Sequence, residues 1–110
     1  MLLILKGVLK EELENAKMRY DFFRDALNKL PAGTLVKKEI RDHSYYYLMF
    51  KKDKKVKFIY KGKNVSGEEI QKYADAKRLK SQYKHDLSDL NKEIALLKRV
   101  LRAKEFRSGS

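Results

Sequence analysis

The sequence predicts an α+β fold: a long antiparallel helical hairpin, coiled-coil-like, with a three-stranded antiparallel β-meander between its helices. Three observations predict it. Apolar residues recur at helical spacing along the first 30 positions, period-two alternation rich in aromatic residues takes over in the middle, and helical spacing returns after residue 66. At 110 residues the chain is read as one domain, residues 1–106, with "RSGS" at 107–110 as a disordered tail or cloning scar.

The first helix is placed at about 3–29. Leu2, Leu5, Leu9, Leu13, Ala16, Tyr20, Phe23, Leu27 and Leu30 follow one another by three or four positions, which keeps them on one stripe. "LPAG" at 30–33 ends it, because the residue before Pro31 avoids the helical region and Gly33 permits a turn.

The middle segment, about 34–61, holds the strands "TLVKKEI", "SYYYLMF" and "KVKFIYK", joined by the tight connections "RDH" and "KKDK". Tyr46, Leu48 and Phe50 point one way and Tyr45, Tyr47 and Met49 the other. In the third strand Val56, Phe58 and Tyr60 oppose Lys57, Ile59 and Lys61.

The second helix is placed at about 67–105. Ser66 is its expected N-cap, with Glu69 completing a capping box. Its stripe runs through Ile70, Tyr73, Ala76, Leu79 or Lys80, Tyr83, Leu87, Leu90, Ile94, Leu97 and Leu101, and from Tyr83 onward it has heptad spacing. Two helices make a thin core. Leu96, Val100 and the "LLIL" start remain uncovered, so a homodimer through the helical stripes is expected.

Charge narrows the function. The chain carries 27 Lys+Arg against 15 Asp+Glu, a net +12, of which +7 falls within residues 34–66. Such a field concentrates anions. The expected partners are nucleic acid, with duplex DNA ahead of RNA, or an acidic protein. There is no cysteine, which excludes disulfides and thiolate metal sites. "MLLILKGVL" is too short to span a bilayer and lacks the flanks of a signal peptide, so the reading is a cytoplasmic protein with no membrane span.

An enzyme is not expected, and no cofactor is called for. His43 sits in the predicted turn "RDHS", where Asp42 and Ser44 are turn formers rather than triad members. His85 and Asp89, four apart on a helix, are too few ligands for a metal. "KGKNVSG" is read as a turn plus N-cap in preference to a phosphate cradle.

The candidate nucleic-acid surface is Lys37, Lys38, Arg41, Tyr45, Tyr47, Lys51, Lys52, Lys54, Lys55, Lys57, Lys61 and Lys63. If Lys57 and Lys61 share a face with Tyr45 and Tyr47, cations and rings interleave. Lysines then contact phosphates while the tyrosines stack or shape the surface. The other reading of this pattern is a solvated, lysine-blunted sheet. A second basic group, Lys98, Arg99, Arg102, Lys104 and Arg107, has the helix dipole as its explanation. The competing function is a coiled-coil interaction protein that docks a protein partner and has no nucleic-acid role.

The positions Gly33, Thr34, Leu35, Lys38, the Tyr45–Tyr47 run, Tyr60, Gly62 and Lys63 resemble a group of short bacterial and phage proteins of unknown function. Those share a "G-[ST]-L-x-x-K" strand, a tyrosine-rich strand and a third strand ending "Y-x-G-K". The resemblance covers the middle third of the chain and implies a sheet between long helices. More distantly, the sheet is similar to the arm-binding domain of phage-type integrases, which implies DNA binding through the sheet.

Overall fold

A computed structural model describes residues 2–103, Leu2 by its backbone alone. The element order is α1 (Leu2–Lys29), β1 (Thr34–Ile40), β2 (His43–Lys52), β3 (Lys55–Gly62) and α2 (Gly67–Leu101). The fold is α+β, two long helices with a three-stranded antiparallel sheet between them in the chain. The helix expected to reach 105 ends at Leu101. Arg102 N–H bonds Lys98 O at 3.1 Å and Ala103 N–H bonds Val100 O at 3.0 Å, which tightens the last turn. Lys104, Arg107 and the "RSGS" end lie outside the described residues. No helix among the described residues is long and apolar enough to cross a membrane.

The chain forms two compact units, one from residues up to Lys29 with those from Gln82 onward, the other from Leu30–Ser81. α2 contributes to both.

In the first unit the apolar stripes meet. Leu13, Ala16, Leu90 and Leu97 are buried, with Leu9, Tyr20, Phe23, Ile94 and Leu101 packed against them. Ala16 is 0% exposed, its small side chain wholly covered within this cluster. The helices are antiparallel. Arg19 meets Glu93 at 3.5 Å, and further along α1 Phe23 meets Tyr83, earlier in α2, at 5.7 Å between ring centroids. Arg19 also donates to Glu12 at 2.8 Å, and that hydrogen bond holds the Glu12 carboxyl below its ordinary value.

In the second unit β2 is central, paired antiparallel with β1 and β3. Each hairpin closes through two residues. Arg41 and Asp42 have φ of 51° and 64°, and Asp53 and Lys54 have φ of 53° and 65°. Positive φ at both central positions is the mirror-image turn whose twist matches that of the strands. Non-glycine residues there cost about 1–2 kcal/mol each, so pairing on both sides must hold them. His43, expected within the first turn, is instead the first residue of β2 and stands opposite Ile40.

One sheet face looks toward α2. Leu35 and Tyr46 line a cleft with Ile70 and Tyr73, Lys61 lies 3.5 Å from Glu69, and Lys80 Nζ donates to Gly33 O at 3.3 Å. Ser66 caps α2, its Oγ accepting the Glu69 N–H at 3.1 Å. Leu35 and Tyr46 face the apolar side of α2 here, so the alternate residues of each strand are turned to the opposite face.

Candidate nucleic-acid interface

Register decides which residues share that open face. Directly paired positions project to the same side of an antiparallel sheet. Val36 pairs with Tyr47 and Lys38 with Tyr45. Across the other ladder Tyr47 pairs with Tyr60 and Met49 with Phe58. Tyr45, Tyr47, Phe58 and Tyr60 therefore stand together, with Phe58 52% and Tyr60 55% exposed. Ile40 and Val56 lie on the same side and are about as open.

The rings touch. Tyr47 and Tyr60 centroids are 5.3 Å apart, Tyr45 and Tyr60 6.4 Å, and His43 and Tyr45 6.4 Å. Ile40, Tyr45, Tyr47 and Tyr60 line a shallow cleft over this row. Lys38 Nζ sits 5.2 Å from the centroids of both Tyr47 and Phe58, and Lys63 Nζ is 5.4 Å from that of Tyr45. Each such cation–π contact is worth about 0.5–1 kcal/mol when exposed, and it leaves ammonium donors free for an anion. None of the strand residues on this face is acidic. Glu39, the only carboxylate of the three strands, lies on the other side, 3.7 Å from Lys37.

The expectation that Lys57 and Lys61 interleave with Tyr45 and Tyr47 is overturned. The two-residue turn at Asp53–Lys54 sets Phe50 against Lys57 and Leu48 against Ile59, so Lys57 belongs to the face turned toward α2. A register shift between Tyr46 and Tyr47 makes Lys61 the extra residue, and its ammonium is taken by Glu69. Lys37 shares the side of Lys57. Of the named set, Lys38, Tyr45, Tyr47 and Lys51 stand on the open face, Lys63 reaches it, and Arg41 and Lys54 occupy the two turns.

Lys51, Lys52, Lys54 and Lys55 gather at the end of the β2–β3 hairpin, all exposed. Lys52 pairs directly with Lys55. Like charges directly opposite one another destabilise a hairpin. Lys51 and Lys52 lie past Met49, the last β2 residue paired with β1, so the hairpin end is two-stranded with open edges that lysines can blunt. Edge protection explains lysines at this end, but not the direct opposition of Lys52 and Lys55.

Phe58, Tyr60, His43 and Ile40 complete the site although the candidate set omitted them. Their signal was a hairpin closing in two residues, which converts alternation within each strand into pairing between strands. The other candidates behave as helix surface. His85 Nε2 and Asp89 form an exposed pair at 3.3 Å, and among the described residues no group of three His, Asp or Glu could hold a metal ion.

Compared with protein-family models, curated proteins and solved structures, the chain shows no significant match to any of them.

Proposed function

We propose that the protein binds nucleic acid through the lysines of its β-meander, with Lys51, Lys52, Lys54 and Lys55 as the principal phosphate contacts. The observation that carries this reading is the like-charge pair Lys52–Lys55 beside Lys54 in a left-handed turn, an opposition that costs the hairpin stability. A phosphate between two ammonium groups turns that repulsion into attraction and releases counterions. The test is fluorescence anisotropy of labelled DNA and RNA over a salt series. Four neutralised phosphates predict a log–log slope of about −3.6 on duplex DNA. Replacing Lys51, Lys52, Lys54 and Lys55 by Gln is expected to remove most of that slope. Absence of binding at near-physiological salt, or a slope unchanged in the variant, rejects the reading in favour of an acidic or other protein partner.

A second reading concerns α1. Ile4, Val8, Met18 and Phe22 are exposed and fall within roughly 80° of the helix circumference, on the side away from Leu13 and Ala16. Glu11 and Asn15 interrupt this row. We infer that a second copy covers it, as a homodimer, because a two-helix unit with four buried core residues leaves apolar surface that another helix pair of the same kind completes. Sedimentation is expected to show a dimer at micromolar concentration and a monomer for Val8→Glu/Met18→Glu. A wild-type protein that stays monomeric overturns the inference.

A further inference from the structure

We infer that the open face of the sheet is a stacking platform for single-stranded nucleic acid, with Tyr47, Tyr60 and Tyr45 receiving unpaired bases and Lys38 and Lys63 holding the adjoining phosphates. This rests on the nucleic-acid reading above and adds the class of ligand.

The chemistry of the face separates single strand from duplex. A duplex presents phosphates and base edges, and protein groups read those edges with Arg most often, and with Lys, Asn, Gln or carboxylate side chains. Among the strand residues of the open face there is no Arg, Asn, Gln, Asp or Glu. Val36, Ile40, Met49 and Val56 frame the rings instead, and such apolar surface would be set against phosphates if a duplex lay on it. An unpaired base offers a π-face, which needs a flat apolar partner and no donor pattern. Tyr60, half open to solvent, and the partly exposed Tyr45 and Tyr47 supply that partner.

Charge fits the same occupant. Of the lysines at this face, Lys38 and Lys63 lie over its rings at 5.2–5.4 Å, so each of these cations sits beside a stacking surface. A strand crossing from Lys63 over Tyr45 and Tyr60 to Tyr47 and Lys38 would meet cation, rings and cation in turn. Recognition of this kind tolerates any sequence and favours flexible pyrimidine runs.

Lysine contacts and ring contacts can be separated experimentally. The chain has no tryptophan and seven tyrosines, so tyrosine emission reports stacking directly. The probes are a 20-mer oligothymidylate and a duplex of equal length at matched salt. Expected are quenched tyrosine emission and tighter binding with the oligothymidylate. In Tyr47→Leu/Tyr60→Leu that preference should fall by about tenfold or more, since each stacked base is lost with its ring. Tyr47→Phe/Tyr60→Phe keeps both rings and is expected to retain the preference, which separates stacking from a folding defect.

Binding of both probes with no single-strand preference and no quenching overturns this inference and leaves the lysine reading standing. Ring variants that alter sedimentation while the preference is retained also overturn it, and make the face a protein contact. Failure of both probes to bind rejects the nucleic-acid reading itself.

Discussion

Gly33→Ala is expected to destabilise the sheet unit by about 2–4 kcal/mol, from a left-handed backbone and a blocked Cβ position together. Gly33 has φ of 92°, beyond the range an L-residue adopts without strain. A Cβ built there would lie 2.8 Å from Met49 O and 2.9 Å from Leu48 Cδ1. The leucine tip can move. The carbonyl belongs to the central strand, where Met49 pairs with Thr34, so relieving the clash pulls on the β1–β2 ladder at its first pair. The same glycine offers its own carbonyl to Lys80, so displacement also weakens a tie to α2. Gly62→Ala is the control. Its φ is 107°, but nothing lies within 4 Å of the added carbon, so it carries backbone strain alone, about 1–2 kcal/mol. Urea unfolding followed by circular dichroism should rank Gly33→Ala as the more damaging of the two. Equal losses would show that crowding at Met49 is not felt.

Leu90→Ala is expected to cost about 2–3 kcal/mol in the helical unit. Leu90 is 7% exposed and belongs to a core whose other buried members are Leu13, Ala16 and Leu97. With so few contributors, deletion of one isobutyl group removes a large share of the buried apolar surface. Leu96→Ala makes the same chemical change on the same helix at a position that is 52% exposed. It should stay within about 0.5 kcal/mol of wild type, the usual range for surface changes. Denaturation of the pair isolates burial, because helix propensity changes identically in both. Equal losses would mean that α2 presents a different face to α1.

How much of this was legible depends on the length scale of each signal. The core positions Leu13, Ala16, Leu90 and Leu97 all come from stripes readable as steps of three and four. Ser66 announced its cap through residue type, and its Oγ does accept the Glu69 N–H. Pro31 and Gly33 marked the stop of α1, which ends at Lys29. The candidate site was legible only in part. Tyr45, Tyr47 and Lys38 stand where a lysine and tyrosine surface was expected, while Lys57 and Lys61 do not. His43 shows the same limit, because its neighbours Asp42 and Ser44 are turn formers and conceal that the turn ends one residue earlier.

By itself the sequence determined the elements, their order, and the two faces of each strand and helix, because these follow from the period of the backbone and from the breakers between segments. Only the tertiary structure decided which faces meet. Alternation within a strand is unchanged when its partner slips, but a one-residue slip moves every partner side chain to the other side of the sheet. Here the slip is set by left-handed backbone at Arg41–Asp42 and Asp53–Lys54, where Asp marks a turn but Arg and Lys do not reveal its two-residue length, and by one bulged residue at Lys61. Those few dihedral angles place Phe58 and Tyr60 beside Tyr45 and Tyr47, and send Lys57 and Lys61 to the face turned toward α2.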